Sequence, residues 1–519
     1  MHVVLVDGSP LTIEQVVAVA KGHVEVDVGG DLDARMAPAR RLVEQVLEDR
    51  ATVYGITTGF GALASTHIEP EAAARLQIGL VRSHAAGVGP ELPAELIRAM
   101  LLLRARTLAQ GHSGVRPEIV RRLITMLQLD LLPVVPSQGS VGASGDLAPF
   151  AHLALPVIGE GEVRFAGRRM AAAEGLAAVG LQPVVLQAKE GLSLLNGTEG
   201  MLAMGVLAVD RALRLADAAD LACALSVEAL LGSARPFDAR IHQLRPHPGQ
   251  LESARRIASM LAGSEIVASH SDDFVHAVQD AYSLRCAPQV HGAARDVIAF
   301  AKATFDRELG SVVDNPIVFA SLDGTGAGDV VSGGNFHGQP LAFALDFMAV
   351  AVTELGSISE RRTDRILSPD RSSGLPAFLA TEPGVNSGFM LSQYTAAALV
   401  AENRVMSHPA SVESIPTSGL QEDHVSMGWG AGRKLGQVLD NTARVLAVEL
   451  LCASQGIEYR APLRPSPNSA DAVRRVRSIV PRLDDDRPIG IDIEAIAAAI
   501  EDGAFRPRPG AHGTAERGG

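Results

Sequence analysis

The sequence predicts a mainly α-helical protein, with a long central helical bundle and a smaller mixed N-terminal domain. Three observations support this class. Beyond Asn196 the chain carries long runs without proline, at 200–235, 341–367, 387–406 and 431–457. Hydrophobic residues make up 47% but aromatics only 4%, so Ala, Leu and Val must fill the core, and small side chains of that kind let helices approach closely. Before residue 200, glycine and proline punctuate the chain densely, which breaks it into short helices, strands and turns.

In chain order, Val3 to Val6 reads as a strand, and Thr12 to Gln15 (TIEQ) as a capping box opening a helix through Ala20, because the two side chains can satisfy each other's free backbone N–H groups. Helices are expected at 93–108 and 117–127, with loops at 54–61 and 133–145. In the last long run, Leu435, Val438, Leu439, Thr442, Val445 and Leu446 recur at helical spacing, which predicts a face packed against other helices. The expected organisation is an N-terminal domain at 1–200, a long-helix bundle and C-terminal helical region at 201–505, and a disordered tail at 506–519, where RPRPGAHGTAERGG lacks apolar periodicity. No internal repeat is visible.

Composition excludes several functions. A formal charge of −13 with no Lys/Arg cluster is the wrong electrostatic footprint for nucleic acid. The N-terminal MHVVLVDGSP has no basic region, and Asp7 interrupts its apolar run, so no export signal is expected. The apolar stretch at 200–235 carries Asp210, Arg211, Arg214, Asp217 and Asp220, charges too costly for a bilayer; it reads as a buried helix of a soluble, cytoplasmic protein. Cys223, Cys286 and Cys452 have neither CxxC spacing nor disulfide density, so reduced thiols are expected.

The chemistry centres on GSVGASGDLAP, where Ser144 could be a nucleophile, a turn residue or neither. A nucleophile elbow needs G-x-S-x-G, but Asp146 stands where the second glycine belongs. SLDGTGAGDVVSGGN at 321–335 lacks the Lys-Ser/Thr of a phosphate loop, and His270, Asp272, Asp273 and His276 do not match a zinc helix. No metal site is therefore expected. A different reaction suits the triplet Ala143-Ser144-Gly145. In a compressed loop the Gly145 nitrogen can attack the Ala143 carbonyl, since these small residues resist close approach least. Ring closure releases one water and dehydration of Ser144 a second, which leaves an electrophile built from backbone.

That triplet, within GSVGASGDLAP, resembles the self-processing segment of the aromatic amino acid ammonia-lyases. Further segments are similar to family motifs in family order: VYGITTGFGALAS (53–65), RSHAAGVG (82–89), EGLSLLNGTEGM (190–201), VQDAYSLRCAPQVHG (278–292), SVVDNPIVF (311–319), GGNFHGQP (333–340) and QEDHVSMGW (421–429). The resemblance runs to about Tyr459. It implies an aspartase/fumarase-like helical fold and a 4-methylidene-imidazol-5-one formed autocatalytically from Ala143-Ser144-Gly145, with no external cofactor. It also implies a homotetramer with active sites at subunit junctions.

By the same resemblance, Tyr54 is the base that removes the substrate's β-proton, and Tyr282 lies beside the prosthetic group. Arg285 pairs with the substrate carboxylate, a role suited to the two parallel donors of a guanidinium. Asn196 and Gln279 support the ring or the bound carboxylate and amine, and Phe336 lies near ring and substrate. Ser83-His84 and Glu422 resemble the histidine-specific branch. A carboxylate can accept an imidazole N–H, whereas a phenyl ring leaves it without a partner. The implied reaction is non-oxidative deamination of L-histidine to trans-urocanate and ammonia. The alternatives are a tyrosine or phenylalanine ammonia-lyase, or a 2,3-aminomutase, of the same family. Thr57, Gly79 and Gly430 depart from the common pattern and bear on pocket width.

Overall fold

The computed structural model describes residues 3–59, 61, 66, 68–69, 72–270, 279–321 and 328–506. Residues 507–519 of the tail expected at 506–519, and Asp272, Asp273 and His276, lie outside the described residues. Long helices dominate, as the proline-free runs predict. Glu199–Ala229, Gln339–Leu367, Met390–Met406 and Gly428–Glu458 correspond to the four runs, and a further long helix, Ala287–Glu308, carries Pro288 in its first turn and is not among them. The chain forms two compact units, one from residues 1–207, 302–346 and 409–433, the other from 208–301, 347–408 and 434–519.

The first unit holds the small sheets. Val3–Val6 pairs in parallel with Glu25–Val28, joined through the helix Ile13–Ala20, whose capping box is formed by Thr12 and Gln15 as the sequence predicts. Val88–Glu91 pairs antiparallel with Pro136–Gln138, so the glycine- and proline-rich stretch at 133–145 is partly strand rather than only loop. The first unit's core helix, Ala94–Ala109, is buried almost continuously from Leu96 onward. That burial includes two arginines, which periodicity would place on a surface. Arg104 pairs with Glu199 at 2.6 Å and donates to the carbonyls of Ser193 and Asn196. Arg106 donates to the carbonyls of Ser9 and Ser311. Buried cations persist only with such partners, because the interior cannot replace their hydration otherwise.

The second unit is the helical bundle. Leu435, Val438, Leu439, Thr442, Val445 and Leu446 are all buried, so the face read from their spacing is a packed one. Within it, Arg362 and Glu449 are fully buried and paired. The hydroxyls of Ser226 and Ser359 donate to Glu449 at 2.6 Å each, which completes its acceptors. Gln339–Leu367 is long and apolar enough to cross a membrane by composition, but 67% of its most apolar window is buried in protein. All three cysteines are free thiols; burial pushes the Cys223 thiol up to about 12, far from a reactive thiolate.

Leu439 is 1% exposed in the bundle, so Leu439→Ala should leave a cavity and cost about 2–5 kcal/mol. Chemical denaturation of variant and wild type at one pH checks this.

Candidate active site

The Ala143-Ser144-Gly145 stretch is a tight turn held from two sides. Gly142, Ser144 and Gly145 have φ of 79°, 49° and 82°, a region that L side chains avoid, so Ser144 carries strain that glycine would not. The turn folds back until the Gly145 N–H donates to the Gly142 carbonyl at 3.4 Å. A side chain on Gly145 would collide with the Gly197 carbonyl, and one on Gly142 with the Ser426 hydroxyl. Glycine is required at both places for this reason. Asp146 N donates to the same Gly197 carbonyl at 2.8 Å, and Met427 N to the Val141 carbonyl at 2.9 Å. Trp429, fully buried, donates its indole N–H to the Ser137 carbonyl.

Asp146 is the polar anchor of this turn. Its carboxylate accepts from Met201 N at 2.8 Å, in the first turn of the helix Glu199–Ala229. Burial pushes it up to about 8, opposed by the Met201 amide and reinforced by Glu199. Asn196, just before Gly197, is fixed twice. Arg104 binds its carbonyl, and its own Nδ2 donates to the Asn315 carbonyl at 2.9 Å. Its Oδ1 is buried without a hydrogen-bond partner.

Around Ser144 lies a cavity of about 460 Å³. Tyr54, His84, Asn196, Phe336 and Glu422, drawn from five separate motifs, line it together with Ser144. The Nδ1 of His84 lies 3.0 Å from the Leu80 carbonyl. A carbonyl only accepts, so Nδ1 carries the proton and Nε2 is the acceptor of the neutral ring. Burial lowers the His84 pKa, against the Leu80 carbonyl and Glu422, which favour the charged form. Burial likewise raises the Tyr54 phenol; the Gly61 amide counters this and the nearby Glu422 adds to it. Glu422 Oε2 accepts from the Thr417 hydroxyl at 3.1 Å. Sequence reading missed Asn315, Ser332 and Gln421, which also line the cavity. Each is a lone polar residue, and only the fold marks it.

Gln279, Tyr282 and Arg285 belong to the second unit. There Tyr282–Arg285 forms one helical turn, and the Arg285 guanidinium lies 4.5 Å over the Tyr282 ring. Arg362 donates to the Ser283 carbonyl at 3.3 Å, so the buried Arg362–Glu449 pair anchors this turn. Tyr282 is 71% exposed. Among the described residues, no cluster of His, Cys, Asp or Glu could hold a metal ion.

Comparison with known proteins places the chain in a family. The aromatic amino acid lyase family model matches residues 11–478. The chain belongs to that family. A histidine ammonia-lyase of Anaeromyxobacter dehalogenans is 52% identical over 97% of this chain and 100% of its own length. Among solved structures, tyrosine aminomutase from Streptomyces globisporus superposes with a TM-score of 0.91 at 41% identity, covering 97% of this chain and 98% of that one. Histidine ammonia-lyase from Trypanosoma cruzi does so with a TM-score of 0.88 at 43% identity, covering 97% and 94%. Membership in the aromatic amino acid lyase family carries the helical fold with it.

Two outcomes test the turn. If the turn cyclises, the wild-type mass should be lower by two waters, and Gly145→Ala should retain both, as read by intact-protein mass. Asp146 also sets a pH dependence. Its folded value, about 8, lies above its unfolded one near 3.8, so the native state holds an extra proton between those limits and stability falls as pH rises through them. Asp146→Asn should remove that slope. The gain in Tm over wild type should be larger at pH 8 than at pH 5.

Proposed function

We propose that this chain deaminates L-histidine to trans-urocanate and ammonia, using a 4-methylidene-imidazol-5-one made from its own Ala143-Ser144-Gly145. The observation that carries the reading is the lining of one cavity by Ser144, Tyr54, His84 and Glu422. The turn suits the prosthetic group: Gly145 can carry no side chain, the backbone is already folded back, and Asn196 offers an orphaned Oδ1 beside it. Once formed, the group supplies an electrophilic carbon that helps the amine depart.

The chain's own residues do the rest. Tyr54 takes the β-proton on its phenol oxygen while the C–N bond breaks, nitrogen leaves with its electron pair, and a carbon–carbon double bond forms. Because burial raises its pKa, the basic form is scarce at neutral pH, and the Gly61 amide is the group that favours it. His84 and Glu422 both present acceptors, and the single ring N–H of a neutral imidazole can satisfy one of them, which a phenyl ring cannot. Among the described residues, the cavity lining includes Glu422 but no lysine or arginine. This suits the substrate ammonium and leaves its carboxylate to be met from elsewhere.

Arg285 is the proposed partner of that carboxylate, with Gln279 and Tyr282 beside it, supplied by a neighbouring copy in a homotetramer. The exposed Tyr282 supports this. So does the helix Met390–Met406, which buries only Ser392, Ala396 and Asn403 and leaves Leu391, Tyr394 and Val405 in the open, an apolar face that calls for a partner. No nucleic acid, membrane or external cofactor enters the scheme, and a cytoplasmic location accords with it.

Urocanate release, followed by ultraviolet absorbance, tests the substrate. Ser144→Ala should abolish it, and Tyr54→Phe should lower kcat by roughly 10²–10⁴. Since the Tyr54 pKa is raised, wild-type kcat/KM should climb from neutral into alkaline pH, and a flat profile there would remove Tyr54 as the base. Mixed and reassembled Ser144→Ala and Arg285→Ala chains should regain activity that neither has alone. The similarity to a tyrosine aminomutase gives the rival reading, in which tyrosine is converted to its β-amino isomer; amino-acid analysis of the products separates the two.

A further inference from the structure

Glu422 sits at the end of an unusual loop. Ser418, Gly419 and Leu420 have φ of 49°, 61° and 71°, so three successive residues are left-handed and the chain doubles back within one turn. The loop is closed by an antiparallel bridge between Thr417 and Glu422, with Thr417 N donating to the Glu422 carbonyl at 2.8 Å and Glu422 N to the Thr417 carbonyl at 3.3 Å. On the other flank, His337 Nε2 lies 3.2 Å from the His424 carbonyl, and the two imidazoles stack at 5.8 Å with planes 4° apart. The carbonyl can only accept, so His337 Nε2–H is the donor. His337 follows Phe336, so this contact ties the Glu422 segment to another wall of the cavity.

The backbone of Glu422 is thus fixed on both sides, and its side-chain torsions remain free. A glutamate has several rotamers of similar energy, and among the described residues the Thr417 hydroxyl is the hydrogen-bond donor that selects among them. The Thr417 hydroxyl lies 3.1 Å from Glu422 Oε2 and 3.3 Å from the Glu422 carbonyl oxygen. It has a single proton. The carboxylate is the shorter and charged acceptor, and charge-assisted bonds are about twice as strong as neutral ones, so the proton goes to Oε2. Oε1 is left for the substrate.

We infer that Thr417 is a positioning residue for substrate selectivity: its hydroxyl orients the Glu422 carboxylate so that an amino acid bearing a ring N–H is preferred over one with an apolar ring. This rests on the histidine reading above. Without the hydroxyl, Glu422 can turn away from the cavity, which removes the reward for an N–H donor and the penalty for a bare ring.

The test compares wild type, Thr417→Val and Thr417→Ser. Valine keeps the shape and the backbone bridge but has no donor; serine keeps the donor. The readouts are kcat/KM for L-histidine against L-phenylalanine, and inhibition constants of trans-urocanate against trans-cinnamate, which report binding without turnover. Thr417→Val should lower the histidine preference, and the urocanate preference with it, by roughly tenfold, and Thr417→Ser should restore most of both. Equal losses toward both ligands, or an unchanged ratio in Thr417→Val, would overturn the inference. Failure of the functional reading looks different, because it would appear in the wild type as absence of urocanate before any substitution, and the inference would fall with it.

Discussion

The contact between Gly145 and Gly197 is the constraint on which the rest of this site depends. Two backbone segments touch so closely that a side chain at 145 would collide with the Gly197 carbonyl. The approach fixes Gly145 relative to the start of the helix Glu199–Ala229, and the left-handed turn at Ser144 follows from it. Such strain persists only where surrounding structure over-determines it. Here the Asp146 N–H bound to the Gly197 carbonyl, the Asp146 carboxylate on Met201 N and the Arg104 guanidinium on the Asn196 carbonyl supply that structure. The first unit's buried polar groups Arg104, Glu199 and Asp146 therefore serve the backbone of this turn.

A second buried pair extends the same support. Lys189, itself in a left-handed conformation, binds Asp314 at 2.8 Å, and the Ser193 hydroxyl shares that carboxylate. Asp314 in turn accepts from Asn315 N, and the Asn315 carbonyl holds Asn196. The path from Lys189 to Asn196 is a continuous set of bonds with every member deeply buried. Burial lowers the Lys189 pKa and Asp314 opposes that loss. Removing either partner would strand a charge, a change costing about 3–5 kcal/mol. The rigidity of the cavity's Asn196 wall thus derives from electrostatics set well behind it.

Much of this was legible in the sequence. The Thr12 capping box and the Leu435-to-Leu446 face are local patterns, and local patterns survive folding because they depend on neighbours a few residues away. Motif resemblance also brought together Tyr54, His84, Ser144, Asn196, Phe336 and Glu422, which the fold gathers around one cavity from positions spread over most of the first unit. The supporting charges were not legible. Arg104 meets Glu199 95 residues later, and Lys189 meets Asp314 125 residues later. Nothing in the spacing of a lone arginine or lysine distinguishes a buried one from a solvated one. Asp146 illustrates the same limit, since it first reads as a mismatch to a hydrolase motif and becomes intelligible only beside Met201. Thr417 is a further case, an ordinary threonine until the loop closes it onto Glu422.

On the proposed histidine reading, the distribution of donors and acceptors explains how the site would divide its work. The cavity wall offers a carboxylate, a neutral imidazole acceptor and an unpartnered amide oxygen, with no lysine or arginine among its described lining. An arginine placed against Glu422 would satisfy that carboxylate and leave it no reason to prefer a substrate N–H. The same arginine would aid Tyr54 as a base but weaken the selectivity that Glu422 provides. Keeping the wall rich in acceptors lets the substrate supply the donors, so binding itself reports the presence of an ammonium and a ring N–H. Glu422 opposes ionisation of Tyr54; in the proposed scheme that cost falls on the base, and a substrate that occupies Glu422 with a ring N–H would reduce it. On that reading, selectivity and activation of the base are coupled through one carboxylate.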